Sequence, residues 1–149
     1  MLNADYDKSE IRNYILEMLS GKVKTLDFYR NFTLEASRDI KKTPKYDSFR
    51  EEMQQEIYHL DKQRFALATM QKEMTKVLNF PAKTAGTGAL VITNKARFYI
   101  SVALGEFFFK GDRFYAISPE SPMAKIMEGK TAGDEFTLNG IHQRIEKVL

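Results

Sequence analysis

FREEMQQEIYHLDKQRFALATMQKEMTKV, residues 49–77, places Phe49, Met53, Ile57, Leu60, Leu67, Met70, Met74 and Val77 at steps of 4, 4, 3, 7, 3, 4 and 3. Arg64 fills the single skipped position of what is otherwise a heptad seam. Apolar side chains at this spacing fall on one stripe of an α-helix. Upstream, Ile11, Tyr14, Ile15, Met18, Leu19, Val23 and Leu26 repeat at helical spacing, followed less regularly by Tyr29, Phe32 and Thr33. Asp7 or Ser9 can cap the start of that helix, and Gly21 costs it about 1 kcal/mol relative to Ala without ending it, although a bend there is expected. Two such helices, each about 45 Å long, bury their stripes most economically against one another. The sequence therefore predicts an antiparallel hairpin with its turn at Thr43 and Pro44.

The grammar changes after Asn79. Pro81 stops the helical pattern, AKTAGTG reads as a linker, and a domain boundary is expected near residue 82, giving a helical part over 1–81 and a second part over 82–149. Short runs rich in β-branched and aromatic residues follow, and predict strands over 89–94, 97–103, 106–109, 113–118, 135–138 and 142–148. Lys110, Gly111 and Asp112 form a hairpin turn between aromatic strands. SPMAKIMEG, residues 121–129, is the one helical stretch of this half, with Pro122 suited to a first turn and Gly129 to a C-terminal cap. The expected class is α+β: an N-terminal antiparallel coiled-coil hairpin followed by a small, mainly antiparallel sheet with one short helix.

Composition narrows the chemistry. The 149 residues are 43% hydrophobic, as expected of a globular chain, and carry a net charge of +3. Residues 1–80 hold 14 basic and 13 acidic side chains, so the basic excess is not spread along the helices. No apolar window approaches the roughly 18 residues of a spanning helix, and no basic region followed by an apolar run opens the chain; a cytoplasmic protein with no membrane partner is expected. The absence of cysteine excludes disulfides and thiolate-held zinc, and His59 and His142 are too isolated for a histidine-rich metal site. No phosphate-binding glycine loop and no histidine-based triad can be assembled, so no catalytic residue is assigned and no cofactor is expected.

The aromatic group Phe98, Tyr99, Phe107, Phe108, Phe109, Phe114 and Tyr115, interleaved with Arg97, Lys110 and Arg113, has the look of a base-stacking platform. Packing of a small sheet explains it better, with at least one ring of the FFF run left exposed by strand alternation. Met53, Met70 and Met74 are read in the same way, as core. The stretch RDIKKTPKYD, residues 38–47, is different. It sets Arg38, Lys41, Lys42 and Lys45 against Asp39 and Asp47 at the tip of the hairpin, where a helix pair offers little packing to explain it.

ISPESPMAKIMEGKTAGDEF, residues 117–136, resembles the C-terminal domain of GreA/GreB-type transcription elongation factors. Ile117, Ser118, Ser121, Pro122, Ala124, Gly129, Lys130, Gly133 and Asp134 match that family's run, with Met127 where leucine is usual. GALVITN, residues 88–94, and the helical hairpin precede it in the same order. The resemblance implies a coiled coil joined to a domain of FKBP-like fold, an RNA polymerase partner, docking on the rim of the polymerase secondary channel, and a hairpin that enters it. It makes Glu120, Ser121, Pro122 and Met123 the candidates for polymerase contact, and Asp39, Lys41, Lys42, Lys45 and Tyr46 the residues that face the active centre. An FKBP-like fold does not by itself imply prolyl isomerase activity.

Cleaving members of the family carry a G-D-L-x-E-N-A-E-Y tip whose carboxylates help to hold a catalytic magnesium ion. RDIKKTPKY stands in its place here: Asp39 and Tyr46 match, while Lys42 and Lys45 occupy acidic positions. Exchanging a carboxylate for an ammonium about 5 Å from a divalent ion is unfavourable by roughly 3 kcal/mol even in water. Asp39, the one matching carboxylate, is a weak candidate for sharing the polymerase magnesium. The expectation is a bacterial transcription regulator that is not itself an enzyme, with contact to RNA or nucleotide phosphate through the tip. A true cleavage factor using Asp39 and Asp47, or a coiled-coil module with a different partner, are the alternatives.

Overall fold

The computed structural model describes residues 5–149. Two long helices, α1 (Lys8–Arg38) and α2 (Asp47–Thr75), are followed by strands β1 (Leu90–Thr93), β2 (Arg97–Ile100), β3 (Gly105–Phe109) and β4 (Asp112–Ile117). The short helix α3 (Pro122–Met127) and strands β5 (Glu135–Leu138) and β6 (Ile141–Val148) complete the chain. The protein is α+β, a helical pair followed by a mostly antiparallel six-stranded sheet and one short helix. No helix among the described residues is long and apolar enough to cross a membrane.

Asp7 caps α1: its carboxylate accepts from the Ser9 amide at 2.9 Å, and its carbonyl from the Ile11 amide. The helix then runs unbroken through Gly21, as one long helix was expected to. By compactness the chain falls into two units, Leu16–Gln71 on the one hand and the described residues up to Ile15 with Lys72–Leu149 on the other. The change of sequence period near residue 82 and this division of the packed chain lie at different places.

In the helical unit, the guanidinium of Arg30 meets the Asp61 carboxylate at 2.5 Å and that of Arg64 meets Asp27 at 2.6 Å. Partners that step forward on one helix step back on the other, the signature of antiparallel pairing. Leu19 and Leu60 are buried on the seam, with Leu26, Met53, Ile57, Leu67 and Met70 half-buried along it. Met74, read from the sequence as part of this seam, is fully buried but belongs to the sheet-bearing unit. A two-helix unit has only one face to shield, and six aromatic side chains, Phe28, Tyr29, Phe32, Phe49, Tyr58 and Phe65, stay at least half exposed.

In the sheet-bearing unit the strand order is β3-β4-β2-β1-β6-β5, and every pairing is antiparallel except that of β2 with β4. The parallel pair arises because the β3–β4 hairpin folds back so that β4, not β3, lies beside β2. Lys110 and Gly111 both have positive φ, 51° and 82°, which makes the two-residue turn whose twist suits a hairpin. Strand alternation then sorts the FFF run: Phe107 and Phe109 are buried and Phe108 is 55% exposed.

Both faces of the central strands are covered, which is why LVIT and RFYI are buried at every position. On one face Val91, Phe98, Ile100, Phe136 and Ile145 pack with Ala124 and Met127 of α3. On the other, Tyr6 meets Phe114 edge-on at 5.0 Å, and Tyr14 of α1 lies 5.4 Å from Phe109. The first two turns of α1 thus belong to the sheet by packing. Lys8 is buried there with its ammonium donating to the carbonyls of Phe80 at 2.7 Å and Gly88 at 2.9 Å, and burial holds its pKa below the usual lysine value. Nothing in the local pattern around Lys8 signals this fastening.

Tyr99 is fully buried and donates its hydroxyl to Asn79 Oδ1 at 2.7 Å. Burial pushes its phenol up to about 12, against an ordinary value near 10. Between these two values the unfolded chain has released a proton that the folded chain still holds, so stability falls as pH rises through that window and is unaffected by this group below it. Melting curves at pH 9, 10 and 11 are expected to show a steeper loss for the wild type than for Tyr99→Phe. Parallel losses would contradict the assignment.

Candidate functional site

The tip lies in the helical unit. After Arg38 the chain leaves α1, and residues 39–43 form an open loop before a single 3-10 turn at Pro44–Tyr46 leads into α2. Thr43, in extended conformation, precedes Pro44, whose fixed φ suits the first position of that turn. The turn closes through hydrogen bonds from the Tyr46 amide to the Thr43 carbonyl and from the Thr43 amide to the Lys41 carbonyl, 3.0 and 2.9 Å.

Lys41, Lys42 and Lys45 are exposed, and among the described residues none has a carboxylate within 4 Å. Lys45 extends its ammonium over the Tyr46 ring, 5.6 Å from the centroid. Of the two tip carboxylates, that of Asp47 is engaged by Arg50, one helical turn further on, and Asp39 is exposed. Arg50 also donates from Nη1 to the carbonyls of Lys41, at 2.7 Å, and Thr43, at 3.5 Å. One guanidinium therefore ties the basic loop to the first turn of α2. Arg50 does not stand out in the sequence, where its one signal is its i,i+3 spacing from Asp47. Beside it, Asp39, Ile40, Lys41, Tyr46 and Phe49 line an open recess of about 590 Å³.

The second group, Glu120, Ser121, Pro122 and Met123, lies in the sheet-bearing unit at the start of α3. Ser121 is the N-cap: its hydroxyl accepts from the Ala124 amide at 3.1 Å, and Pro122 occupies the first turn. Glu120 and Pro122 are exposed, whereas Met123 is half-buried and packs against the core under α3. The rest of the motif has local work as well. Gly129 and Gly133 take positive φ, 77° and 95°, and Asp134 accepts from the Thr131 amide at 2.8 Å, closing the turn into β5. Ser121→Ala is expected to cost about 1 kcal/mol in denaturant unfolding, with Ser121→Asp close to wild type because the carboxylate also caps. An unchanged midpoint for Ser121→Ala would show that the cap is not stabilising.

His59 is exposed on α2 beside Gln63, and His142 lies 2.9 Å from the Thr137 hydroxyl and 3.3 Å from the Glu135 carboxylate. Both are exposed surface residues of their elements. Of the aromatic group, Phe98, Tyr99, Phe107, Phe109 and Phe114 are core, as the packing interpretation expects.

No family model and no curated protein matches this chain. Among solved structures, that of the transcription factor Gfh1 is similar over 89% of this chain and 92% of that one, with a TM-score of 0.38 and 15% sequence identity. A likeness this distant transfers no residue roles.

Proposed function

We propose that this chain is a Gre-like regulator of transcription, bacterial and cytoplasmic, that binds RNA polymerase at its secondary channel and acts there without cleaving the transcript and without being an enzyme. Its sheet-bearing part, of FKBP-like fold, anchors through Glu120, Pro122 and the exposed part of Met123. Ser121 holds that segment in shape.

The observation that carries the reading is the tip. A long antiparallel helix pair ends in three exposed lysines free of carboxylate partners among the described residues, where the family resemblance leads one to expect acidic side chains. Asp47 is committed to Arg50, which leaves Asp39 as the one tip carboxylate not held in an ion pair among the described residues. One carboxylate flanked by lysines is poorly suited to holding a divalent ion, which favours several oxygen ligands. The same lysines suit phosphate groups, through charge-assisted hydrogen bonds that weaken with salt.

Competition tests the reading. The purified chain is expected to displace a labelled secondary-channel ligand from RNA polymerase, and to leave the RNA of a stalled, backtracked complex at full length. Absence of displacement would overturn polymerase binding at this site. Shortening of the RNA that is lost in Asp39→Ala would overturn the non-cleaving role.

A further inference from the structure

The recess beside the lysines is more than a charged surface, and we propose that it binds a nucleoside triphosphate, the base against Tyr46, Phe49 and Ile40 and the phosphates on Lys41, Lys42 and Lys45. Two independent features meet at this place. The first is shape and chemistry: a concavity of about 590 Å³, within the size of small-molecule sites, lined by an aliphatic and two aromatic side chains, with Phe49 half exposed. The half-exposed Phe49 ring offers a stacking surface to a base, beside the half-buried Tyr46 ring, over which the Lys45 ammonium lies. The second is charge. Residues 38–50 carry five basic side chains against two acidic ones, and the three lysines among them have no carboxylate neighbour among the described residues.

Arg50 joins the two features. By holding the Lys41 and Thr43 carbonyls it fixes the loop backbone that carries the lysines next to the residues of the recess, so little ordering remains to be done when a ligand arrives. Asp39, on the recess wall, accepts hydrogen bonds and repels phosphate. It therefore suits the sugar hydroxyls or a base amino group, and leaves the phosphate chain to the lysines, of which Lys41 lines the recess itself. A solvated basic turn would need neither the aromatic floor nor the arginine clasp.

The inference deepens the reading of the tip given above, yet it is tested on the purified chain without polymerase, so the two fall separately: failure to bind ATP leaves competition on polymerase untouched, and the reverse. Calorimetric titrations with ATP, inorganic tripolyphosphate and a short single-stranded RNA lacking a 5′ phosphate distinguish the sources of the chemistry. ATP is expected to bind more tightly than tripolyphosphate and than the RNA. Tyr46→Ala should weaken ATP at least about fivefold while leaving tripolyphosphate unchanged. The triple change of Lys41, Lys42 and Lys45 to Ala should weaken both, and Arg50→Ala should weaken ATP with the lysines intact. All these residues lie on the loop or its first helical turn, and unchanged melting of each variant verifies the fold. Equal affinity for ATP and tripolyphosphate, indifference to Tyr46→Ala, tighter binding of the RNA, or no binding of ATP would each overturn the proposal.

Discussion

Gly88→Ala is expected to destabilise the sheet-bearing unit by at least about 3 kcal/mol and to lower its melting temperature by about 10 °C. Gly88 has φ +88°, where an L side chain is strained, and a Cβ placed there would lie 2.4 Å from the Leu78 carbonyl oxygen. That oxygen is backbone and cannot swing aside. The amide of Gly88 donates to the Ile100 carbonyl at 2.8 Å, and its own carbonyl takes one of the two hydrogen bonds from buried Lys8. Any shift that relieves the clash therefore loosens the end of β2 and leaves an ammonium without a partner it needs. Gly86→Ala is the control, since nothing lies within 4 Å of a Cβ there and its φ is not positive. If Gly88→Ala melts with Gly86→Ala, the close approach of the chain at this point is wrong.

Phe114→Ala should cost about 3–5 kcal/mol, read as a lower denaturant midpoint with the slope unchanged. The ring is fully buried in β4, stacked on Phe107 at 5.4 Å, edge-on to Tyr6 at 5.0 Å and to Phe109 at 6.1 Å, with the Arg97 guanidinium 5.6 Å away. Truncation removes the common partner of three aromatic side chains and opens a cavity beside a buried arginine that depends on the ring for cover. Phe108→Ala, one strand away and facing solvent, should change the midpoint by less than about 1 kcal/mol. Similar losses in the two variants would mean that the alternation of the FFF run is misassigned.

The helix pair was legible because its stripes repeat at a fixed period, and the strands because turn residues punctuate them: Lys110 with Gly111, and the Gly129 and Gly133 turns. What escaped notice depended on distant parts of the chain. Whether β3 or β4 pairs with β2 is decided by which edge the hairpin folds onto, and neither strand's own residues encode it. The burial of Lys8 requires the carbonyls of Phe80 and Gly88, more than seventy residues away. At the tip, the lysines were visible as charge, whereas the clasp made by Arg50 and the recess floored by Tyr46 and Phe49 exist only once the loop is closed. The Ser-Pro segment shows the converse. Its motif was readable because each residue has a local task, cap, first turn or tight turn, and for that reason the motif speaks more for the fold than for the partner.

Direct binding to RNA polymerase is the most immediate test of the proposed function. In gel filtration of the purified chain with purified core polymerase, co-migration is expected that survives replacement of Lys41, Lys42 and Lys45 by Ala and is lost in a Glu120→Lys, Pro122→Asp double variant that melts normally. Elution of the wild-type chain apart from polymerase at micromolar concentration, or co-migration indifferent to the double variant, would overturn polymerase binding through the Ser-Pro segment.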